Sequence, residues 1–222
     1  MANKFAWDDA LLLEEQLSEE ERQIRDSVRD FAETELMPRI LDWNRHENFD
    51  PDIMKEFGSL GILGATIPDY GCAGIGRVAY GLVCRELERI DTAFRSAVGV
   101  QTGLAMSAIY DFGSDEQKER FLPGMRDGEL IGCFGLTEPD HGSDAGAMKS
   151  RAVSCDGGYK LKGTKMWITH SPVAHVFVVW AKDDEGRIGG FILERGMDGL
   201  EAPKIEGKFG VRASPTGFIM MD

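Results

Sequence analysis

Hydrophobic residues in the first ~125 positions recur at three- and four-residue spacing, which is the period of amphipathic helices. Ser18 and Glu21 have the S-x-x-E form of a capping box, which satisfies free N–H groups where a helix begins. The sequence therefore predicts a helix over about residues 19–36 that ends before Pro38, because proline interrupts the hydrogen-bond ladder. Further helices are predicted from residue 51 to the glycines at 58 and 61, over 77–90, over 91–113, and from Ser114 toward Pro123.

After residue 130 the chain changes to alternating apolar and polar residues, a pattern typical of strands with one buried face. Strands are predicted over 159–169, 176–180, 186–194 and 216–222. Helices followed by strands predict an α+β fold. We expect an all-helical N-terminal domain over residues 1–130 and an antiparallel β domain over residues 131–222.

The C-terminal sequence TGFIMMD ends within a predicted strand, and no turn or partner strand follows it. An unpaired strand edge and an uncovered apolar helix face are both costly. The sequence therefore predicts a folding unit that is incomplete at its C-terminal end. A natural C-terminus at an edge strand is the alternative.

The charge of the chain limits its partners. There are 38 acidic and 25 basic side chains, which give a net charge of −13. This charge argues against binding to nucleic acid or to an anionic membrane surface. No segment approaches the length of a membrane span, and the N-terminus lacks the pattern of a secretion signal. We expect a bacterial cytoplasmic protein, with the mitochondrial matrix as the alternative.

The cysteines and histidines lack the spacing of a metal or disulfide site. The cysteines stand far apart with no CxxC pair, and the histidines have no HxxxH or HExxH spacing. We therefore expect reduced thiols and no metal ion.

The stretch CFGLTEPDHGSD, residues 133–144, places small hydrogen-bonding groups directly after an apolar run. Hydroxyls of Thr137 and Ser143, together with nearby backbone N–H groups, suit a planar heterocycle rich in carbonyls or a phosphate. On spacing alone, an ordinary connection between strands with side chain–backbone turns is favoured.

The stretch KMWITHS, residues 165–171, is the second candidate for a binding site. Residues two apart on a strand face the same way, so Trp167 and Thr169 would present a flat wall and a hydroxyl to one ligand. A buried tryptophan in the core of the sheet is the alternative, and it is favoured when this stretch is taken alone.

The two stretches together resemble a known family. The pattern LTEP-x-x-GSD, followed by GTK-x-WIT, resembles the flavin-binding β domain of the acyl-CoA dehydrogenases. The helical first half, the GS-x-EQ-K-x-R-x-LP segment at 113–123 and RASPTG at 212–217 also look like that family. The resemblance thus extends along the whole chain and implies that family's fold.

By this resemblance the cofactor is FAD. The residues implied to border the isoalloxazine ring or the bound thioester are Phe134, Leu136, Thr137 and Ser143, and those implied to flank the flavin are Trp167 and Thr169. Hydroxyl or N–H donors near the ring stabilise negative charge when it is reduced, and the indole excludes water. His170 stands where members of the family commonly have asparagine.

Within the family, the stretch RELERIDTAFRSAVGVQ at 85–101 is most similar to the glutaryl-CoA dehydrogenases, as are GCAG before it and KFGVRAS after it. The residues implied to bind substrate are Arg95, Glu88, Ser96 and Ser143. Arg95 would hold the distal carboxylate, which a guanidinium matches with two parallel hydrogen bonds. Gly99 takes the place of a serine that would add a polar contact. From the residues alone, a salt bridge from Arg95 to Glu88 or Asp91 without any ligand is favoured.

The resemblance also implies a reaction. A base removes the proton α to the thioester while hydride leaves the β carbon for flavin N5. The enoyl thioester then loses CO2 to give an extended enolate, and protonation of the enolate gives crotonyl-CoA. The base in this family is a glutamate of a C-terminal helical bundle, which is absent from this chain, so we expect these 222 residues alone to be inactive. Electron-transfer flavoprotein and a homotetramer are the implied partners.

Two alternatives remain open at this stage. One is an acyl-CoA dehydrogenase for short straight or branched chains, in which Arg95 is structural. The other is a non-catalytic protein that uses the helical region as an interaction module.

Overall fold

The computed structural model describes Trp7 and residues 9–222. In this part of the chain, helices occupy the sequence up to Arg126 and strands follow from Gly132. The α-helices are α1 (Leu13–Gln16), α2 (Glu19–Phe31), α3 (Met37–His46), α4 (Ile53–Ser59), α5 (Arg77–Ile90), α6 (Thr92–Gly99), α7 (Ser107–Phe112) and α8 (Asp115–Arg126). The order of helices before strands confirms the predicted fold class.

The first long helix begins as predicted but does not end before Pro38. Ser18 and Glu21 form the expected capping box. After α2, a π-helical segment, Ala32–Leu36, leads without a break into α3. The Met37 N–H bonds to the Ala32 carbonyl, five residues back, which shifts the hydrogen-bond register by one residue. Pro38 therefore stands in the first turn of a new α-helical stretch, where proline is tolerated, and the predicted end was wrong.

The predicted helix over 91–113 is confirmed as α6 and α7, with a π-helical segment, Val100–Met106, between them. Gln101 in this segment is fully buried. Its amide donates to the carbonyls of Met125 and Leu130 at 2.9 and 2.8 Å and accepts the N–H of Gly132 at 2.7 Å. One side chain thus joins this helix to the end of α8 and the start of the sheet.

Seven strands in the described part of the chain form the sheet. They are β1 (Gly132–Gly135), β2 (Arg151–Cys155), β3 (Gly158–Thr169), β4 (Val176–Lys182), β5 (Ile188–Glu194), β6 (Leu200–Glu201) and β7 (Thr216–Met221). Their order is β1-β4-β2-β3-β7-β6, and β5 pairs with β4. Most pairs are antiparallel, whereas β4 runs parallel to β1 and to one residue of β2. A parallel neighbour requires a long connection, which residues 136–175 supply.

The final predicted strand has a partner on each side. β7 pairs with β3 along one edge and with β6 along the other. The expectation of an unpaired edge at TGFIMMD was therefore wrong, because the short strand Leu200–Glu201 covers it.

The helices and the sheet share their hydrophobic cores. Ile131 and Ala213 belong to the cluster built mainly by α4, α5 and α6, which includes Phe57 and Phe94. Val176 and Val178 of β4 belong to a second cluster with α7 and α8. The sheet is therefore packed directly on the helices, and the division into domains at residues 1–130 and 131–222 stays a prediction.

Two kinds of feature are absent from Trp7 and residues 9–222. None of the helices there is long and apolar enough to cross a bilayer. No group of three or more His, Cys, Asp or Glu side chains in that part is placed to hold a metal ion.

Candidate functional site

A cavity of about 420 Å³ lies between α6, β3 and the loop before β7. Its lining residues are Thr92, Ser96, Trp167, Thr169, Lys208, Phe209, Gly210, Val211, Ser214 and Thr216. Ser96, Trp167 and Thr169 had each been predicted as site residues. The fold therefore brings together a predicted substrate residue on a helix and two predicted cofactor residues on a strand.

A β-bulge sets the direction of Trp167. The pairing of β3 with β7 shifts register between Lys165 and Ile168, and Trp167 in this interval has φ 63°. Bulges re-aim side chains and are common beside functional sites. Ile168 is buried in the sheet core, whereas Trp167 is 55% exposed. The alternative of a tryptophan buried in the core is thus wrong, and Trp167 and Thr169 face the same cavity.

The segment after β1 runs beside β3. The carbonyl of Leu136 accepts from Lys165 Nζ at 3.1 Å, and the carbonyl of Thr137 accepts the Met166 N–H at 2.9 Å. The ring centroid of Phe134 lies 5.8 Å from that of Trp180. The stretches 133–144 and 165–171 are therefore in contact at Met166, one residue before Trp167.

A buried ion pair fastens the two motifs together. Lys165 Nζ lies 2.9 Å from Glu138 Oε1, and the side chains are 0% and 5% exposed. Glu138 also accepts the N–H groups of Lys149 and Ser150 at 2.6 and 2.9 Å. Burial acts to raise the pKa of Glu138, but hydrogen bonds from Lys149, Ser150 and Lys165 lower it to about 2. Sequence reasoning missed this pair, although the glutamate of LTEP and the lysine of GTK were both visible.

Ser143 lies apart from the cavity. It is exposed in the loop between the Glu138–His141 bridge and the 3-10 turn Ala145–Ala147. It is not among the described residues that line the cavity. Its predicted contact with cofactor and substrate stays a prediction.

Arg95 on α6 is paired with Glu88 on α5, and neither is among the described residues that line the cavity, although Thr92 and Ser96 of α6 are. Arg95 Nε donates to Glu88 Oε2 at 2.8 Å, and the Thr92 hydroxyl donates to Glu88 Oε1 at 2.6 Å. Both hydrogen bonds lower the pKa of Glu88, and the one from Thr92 has the larger effect. The Arg95 side chain is 41% exposed. A methyl group added at Gly99 would lie 4.0 Å from Arg95 Nη1, so the space beside the guanidinium is open.

Behind Arg95 lie two further polar side chains that the sequence analysis missed. Tyr80, Cys84 and Glu88 are four residues apart on α5 and therefore share one face. Cys84 and Thr102 are the polar side chains that act on the pKa of the Tyr80 hydroxyl. Burial is the main cause that raises the pKa of both the phenol and the thiol, so both groups stay neutral here. The four-residue spacing was the signal that could have identified them.

His170 is fully buried directly after Thr169, with φ 70°. Its Nδ1 lies 3.3 Å from the Gly132 carbonyl, while Nε2 has no partner in the described chain. Burial lowers the pKa of this imidazole to about 4. His170 is therefore a neutral side chain that joins β3 to β1.

Comparison with known proteins identifies the family. Residues 18–129 match the family model of the acyl-CoA dehydrogenase N-terminal domain, and residues 133–222 match that of the middle domain. A mitochondrial isovaleryl-CoA dehydrogenase of Pongo abelii is 37% identical over 90% of this chain and 49% of its own length.

Two solved structures of glutaryl-CoA dehydrogenase from Mycobacterium smegmatis are similar to this chain. One is 47% identical with a TM-score of 0.95, covering 99% of this chain and 57% of its own. The other, in complex with FADH2, is 44% identical with a TM-score of 0.92, covering 94% of this chain and 54% of its own. The chain spans about half the length of these relatives. The two family matches together cover nearly all of the sequence, and the chain belongs to the acyl-CoA dehydrogenase family.

Proposed function

We propose that this chain is part of an FAD-dependent acyl-CoA dehydrogenase that converts glutaryl-CoA to crotonyl-CoA and CO2. The observation that carries this proposal is one cavity with Trp167 and Thr169 on its β3 side and Ser96, next to the Arg95–Glu88 pair, on its α6 side. A flat aromatic wall on β3 and a guanidinium next in sequence to the cavity-lining Ser96 suit a flavin and a dicarboxylic thioester.

The side chains present fit a flavin ring. Trp167 is a large aromatic side chain that lines the cavity and is 55% exposed, so its surface is accessible to a flat ligand in the cavity. Thr169, Ser214 and Thr216 add hydroxyl groups to the same cavity. The residues proposed to hold FAD are Phe134, Leu136, Thr137, Ser143, Trp167 and Thr169. When bound, FAD supplies the acceptor for the hydride of the substrate.

The residues of this chain would bind and shield the reactants. Thr137 and Thr169 are proposed to donate hydrogen bonds to polar atoms of the flavin ring, and Trp167 to exclude water from the site. Fixed donors of this kind stabilise charge without reorganisation. The Glu138–Lys165 pair would keep these two segments at a constant separation.

Arg95 is proposed to bind the distal carboxylate of the substrate. Glu88 accepts a hydrogen bond only from the Nε–H of Arg95. No described residue accepts a hydrogen bond from the Nη groups of Arg95. A substrate carboxylate would therefore find two N–H groups beside the open space at Gly99. Ser96 is proposed to border the acyl chain, because it lines the same cavity.

The rest of the catalytic apparatus is proposed from the family. The α-proton base would be a glutamate outside these 222 residues, and a homotetramer and an electron-transfer flavoprotein would be the partners. The isolated chain is expected to be inactive for this reason.

The test is an anaerobic titration of the protein from the complete reading frame with glutaryl-CoA. Flavin bleaching and released CO2 would be followed together. Bleaching accompanied by CO2 supports the proposal. Bleaching only with a monocarboxylic thioester such as butyryl-CoA would contradict the substrate assignment and leave the cofactor assignment in place.

A short- or branched-chain acyl-CoA dehydrogenase is the second candidate. The observation that favours it is the hydrogen bond between Arg95 and Glu88, which gives the guanidinium a structural partner without any ligand. The same titration decides between the two, since this candidate releases no CO2.

A further inference from the structure

The outer wall of the cavity is a loop, residues 207–212, whose position depends on a distant helix. Lys208, Phe209, Gly210 and Val211 of this loop line the cavity across from α6. Phe209 is fully exposed and Val211 is 40% exposed, so the loop gains little from burial of its own apolar side chains. Its position must come from polar contacts.

Glu47 supplies three of these contacts from the C-terminal end of α3. Its carboxylate accepts the Gly207 N–H at 2.9 Å and pairs with Arg212 Nη1 at 2.6 Å. Its carbonyl accepts from Lys204 Nζ at 2.7 Å. The Glu47 side chain is only 11% exposed, so these charged contacts are sheltered from water.

Arg212 strengthens the same attachment from the loop side. Its Nε donates to the Asn44 carbonyl at 3.0 Å and its Nη2 to the Arg45 carbonyl at 3.2 Å. The last carbonyls of a helix lack partners within the helix, and a cation there is favoured by the helix dipole. Arg212 also donates to the Lys208 carbonyl at 2.8 Å, which ties the cavity-lining residue itself to α3.

Lys208 fixes the inner side of the loop. Its ammonium donates to the carbonyls of Val211 and Ser214 at 2.8 and 2.6 Å and to the Thr216 hydroxyl at 2.9 Å. The loop is thus closed on itself next to β7. Its outer side is connected to α3 through Glu47 and Arg212.

We propose that Glu47 and Arg212 are positioning residues that hold the 207–212 loop as the outer wall of the ligand cavity. Neither residue lines the cavity, so both act through Lys208 and its neighbours. The nature of the ligand rests on the proposed function, whereas the attachment of the loop does not. Loss of the attachment would loosen ligand binding more than it would slow the reaction, because Trp167 and Thr169 stay on β3.

The first experiment reads the loop directly by limited trypsin digestion. The protein from the complete reading frame would be prepared as wild type, Glu47→Ala, Glu47→Gln and Glu35→Gln. Trypsin cuts after Lys204, Lys208 and Arg212, all within or next to the loop. Glu35 is the matched control, because it is an exposed carboxylate on the same helical run that pairs with Arg39.

Cleavage at these sites in Glu47→Ala is expected to be about tenfold faster than in wild type, since local opening governs proteolysis. Glu47→Gln keeps an acceptor for the Gly207 N–H but loses the ion pair with Arg212, so a smaller increase is expected. Glu35→Gln should match wild type. Equal cleavage rates in wild type and in both Glu47 variants would overturn the proposal, and Glu47→Gln alone decides it if Glu47→Ala does not fold.

The second experiment separates positioning from simple attachment. With the acyl-CoA that bleaches the flavin best, Glu47→Gln is expected to raise KM about tenfold while kcat stays within about twofold. Faster cleavage with unchanged KM and unchanged acrylamide quenching of Trp167 would overturn the positioning role. If no acyl-CoA bleaches the wild-type flavin, the proposed function fails, while digestion and Trp167 quenching still decide this inference.

Discussion

At the residue scale, His170 makes the stability of the protein depend on pH. Its pKa is about 4 in the fold, because burial disfavours the charged ring, against about 6.5 in an unfolded chain. A lowered pKa means that the unfolded state binds more protons between these values. The stabilisation is therefore complete above pH 6.5 and is lost as pH falls toward 4.

We expect wild type to lose about 2 kcal/mol of unfolding free energy through His170 between pH 7.5 and pH 5. The variant His170→Asn carries the residue that is common in the family. It should lack the loss of unfolding free energy that His170 causes. Urea denaturation of both proteins at the two pH values measures it. Equal losses in the two proteins would show that His170 is not the group responsible.

Also at the residue scale, Arg95 should determine which thioester is used. Arg95→Leu removes the guanidinium that the proposed function assigns to the distal carboxylate. We expect kcat/KM for glutaryl-CoA to fall about 100-fold, because the distal carboxylate loses its charged hydrogen-bond donor, and that for butyryl-CoA to change little. Arg187→Leu, at an exposed arginine of the β4–β5 turn, is the control. A parallel fall for both substrates would contradict the assignment and favour a structural Arg95.

The positions of site residues could be predicted from the sequence where they depend on one short segment of the chain. The two-residue spacing predicted Trp167 and Thr169 on one face, and both line the cavity, but it gave no sign of the bulge that sets the direction of Trp167. It could not reveal the Glu138–Lys165 pair, because its members are 27 residues apart and charged side chains are ordinarily exposed. The roles assigned to Ser143 and Arg95 came from the family resemblance and stay predictions.

At the element scale, the Glu138–Lys165 pair holds the segment after β1 against β3. Lys165→Met alone leaves a buried carboxylate without its ammonium, so we expect a loss of about 3–5 kcal/mol of unfolding free energy. Adding Glu138→Gln to it should recover part of this loss, because no buried charge then remains unpaired and the amide oxygen keeps an acceptor for the Lys149 and Ser150 N–H groups. Chemical denaturation of the single and double variants measures the coupling.

Lys149→Met serves as the control, since its ammonium is exposed and pairs with exposed Asp140. It should change the unfolding free energy by less than about 1 kcal/mol. A double variant that is less stable than Lys165→Met would contradict the account of the pair.

The ends of helices and strands agree with the prediction where neighbouring residues, such as caps, determine them. The helix over 77–90, the capping box at Ser18 and the helix start at Ser114 are present as predicted. The π-helical turns were not predictable from local pattern. Gln101 in one of them bonds to the distant Gly132, and no local pattern encodes such a contact. β2 was missed because only one of its residues is buried, and β6 was missed because it has only two residues.

At the scale of the whole molecule, helices and sheet depend on one another. The sequence placed the change from helix to strand near residue 130, where the last helix ends at Arg126 and the first strand begins at Gly132. It did not show that Ile131 and Val176 enter cores formed by helices. Such contacts join residues far apart in sequence, so no local pattern encodes them.

Gln101 offers a test of this dependence, because it joins the π-helical segment to α8 and to β1. Gln101→Leu keeps the volume but leaves the Leu130 carbonyl and the Gly132 N–H without the partner that Gln101 supplies, while the Met125 carbonyl keeps the Gly128 N–H at 3.3 Å. We expect a loss of about 3 kcal/mol or more, since each buried backbone group left unpaired costs about 1–3 kcal/mol. Because the cores are shared, hydrogen exchange should accelerate in α8 and in β4 together. Acceleration confined to the helices would mean that the sheet is stable without them, and the shared core would then contribute little to cooperativity.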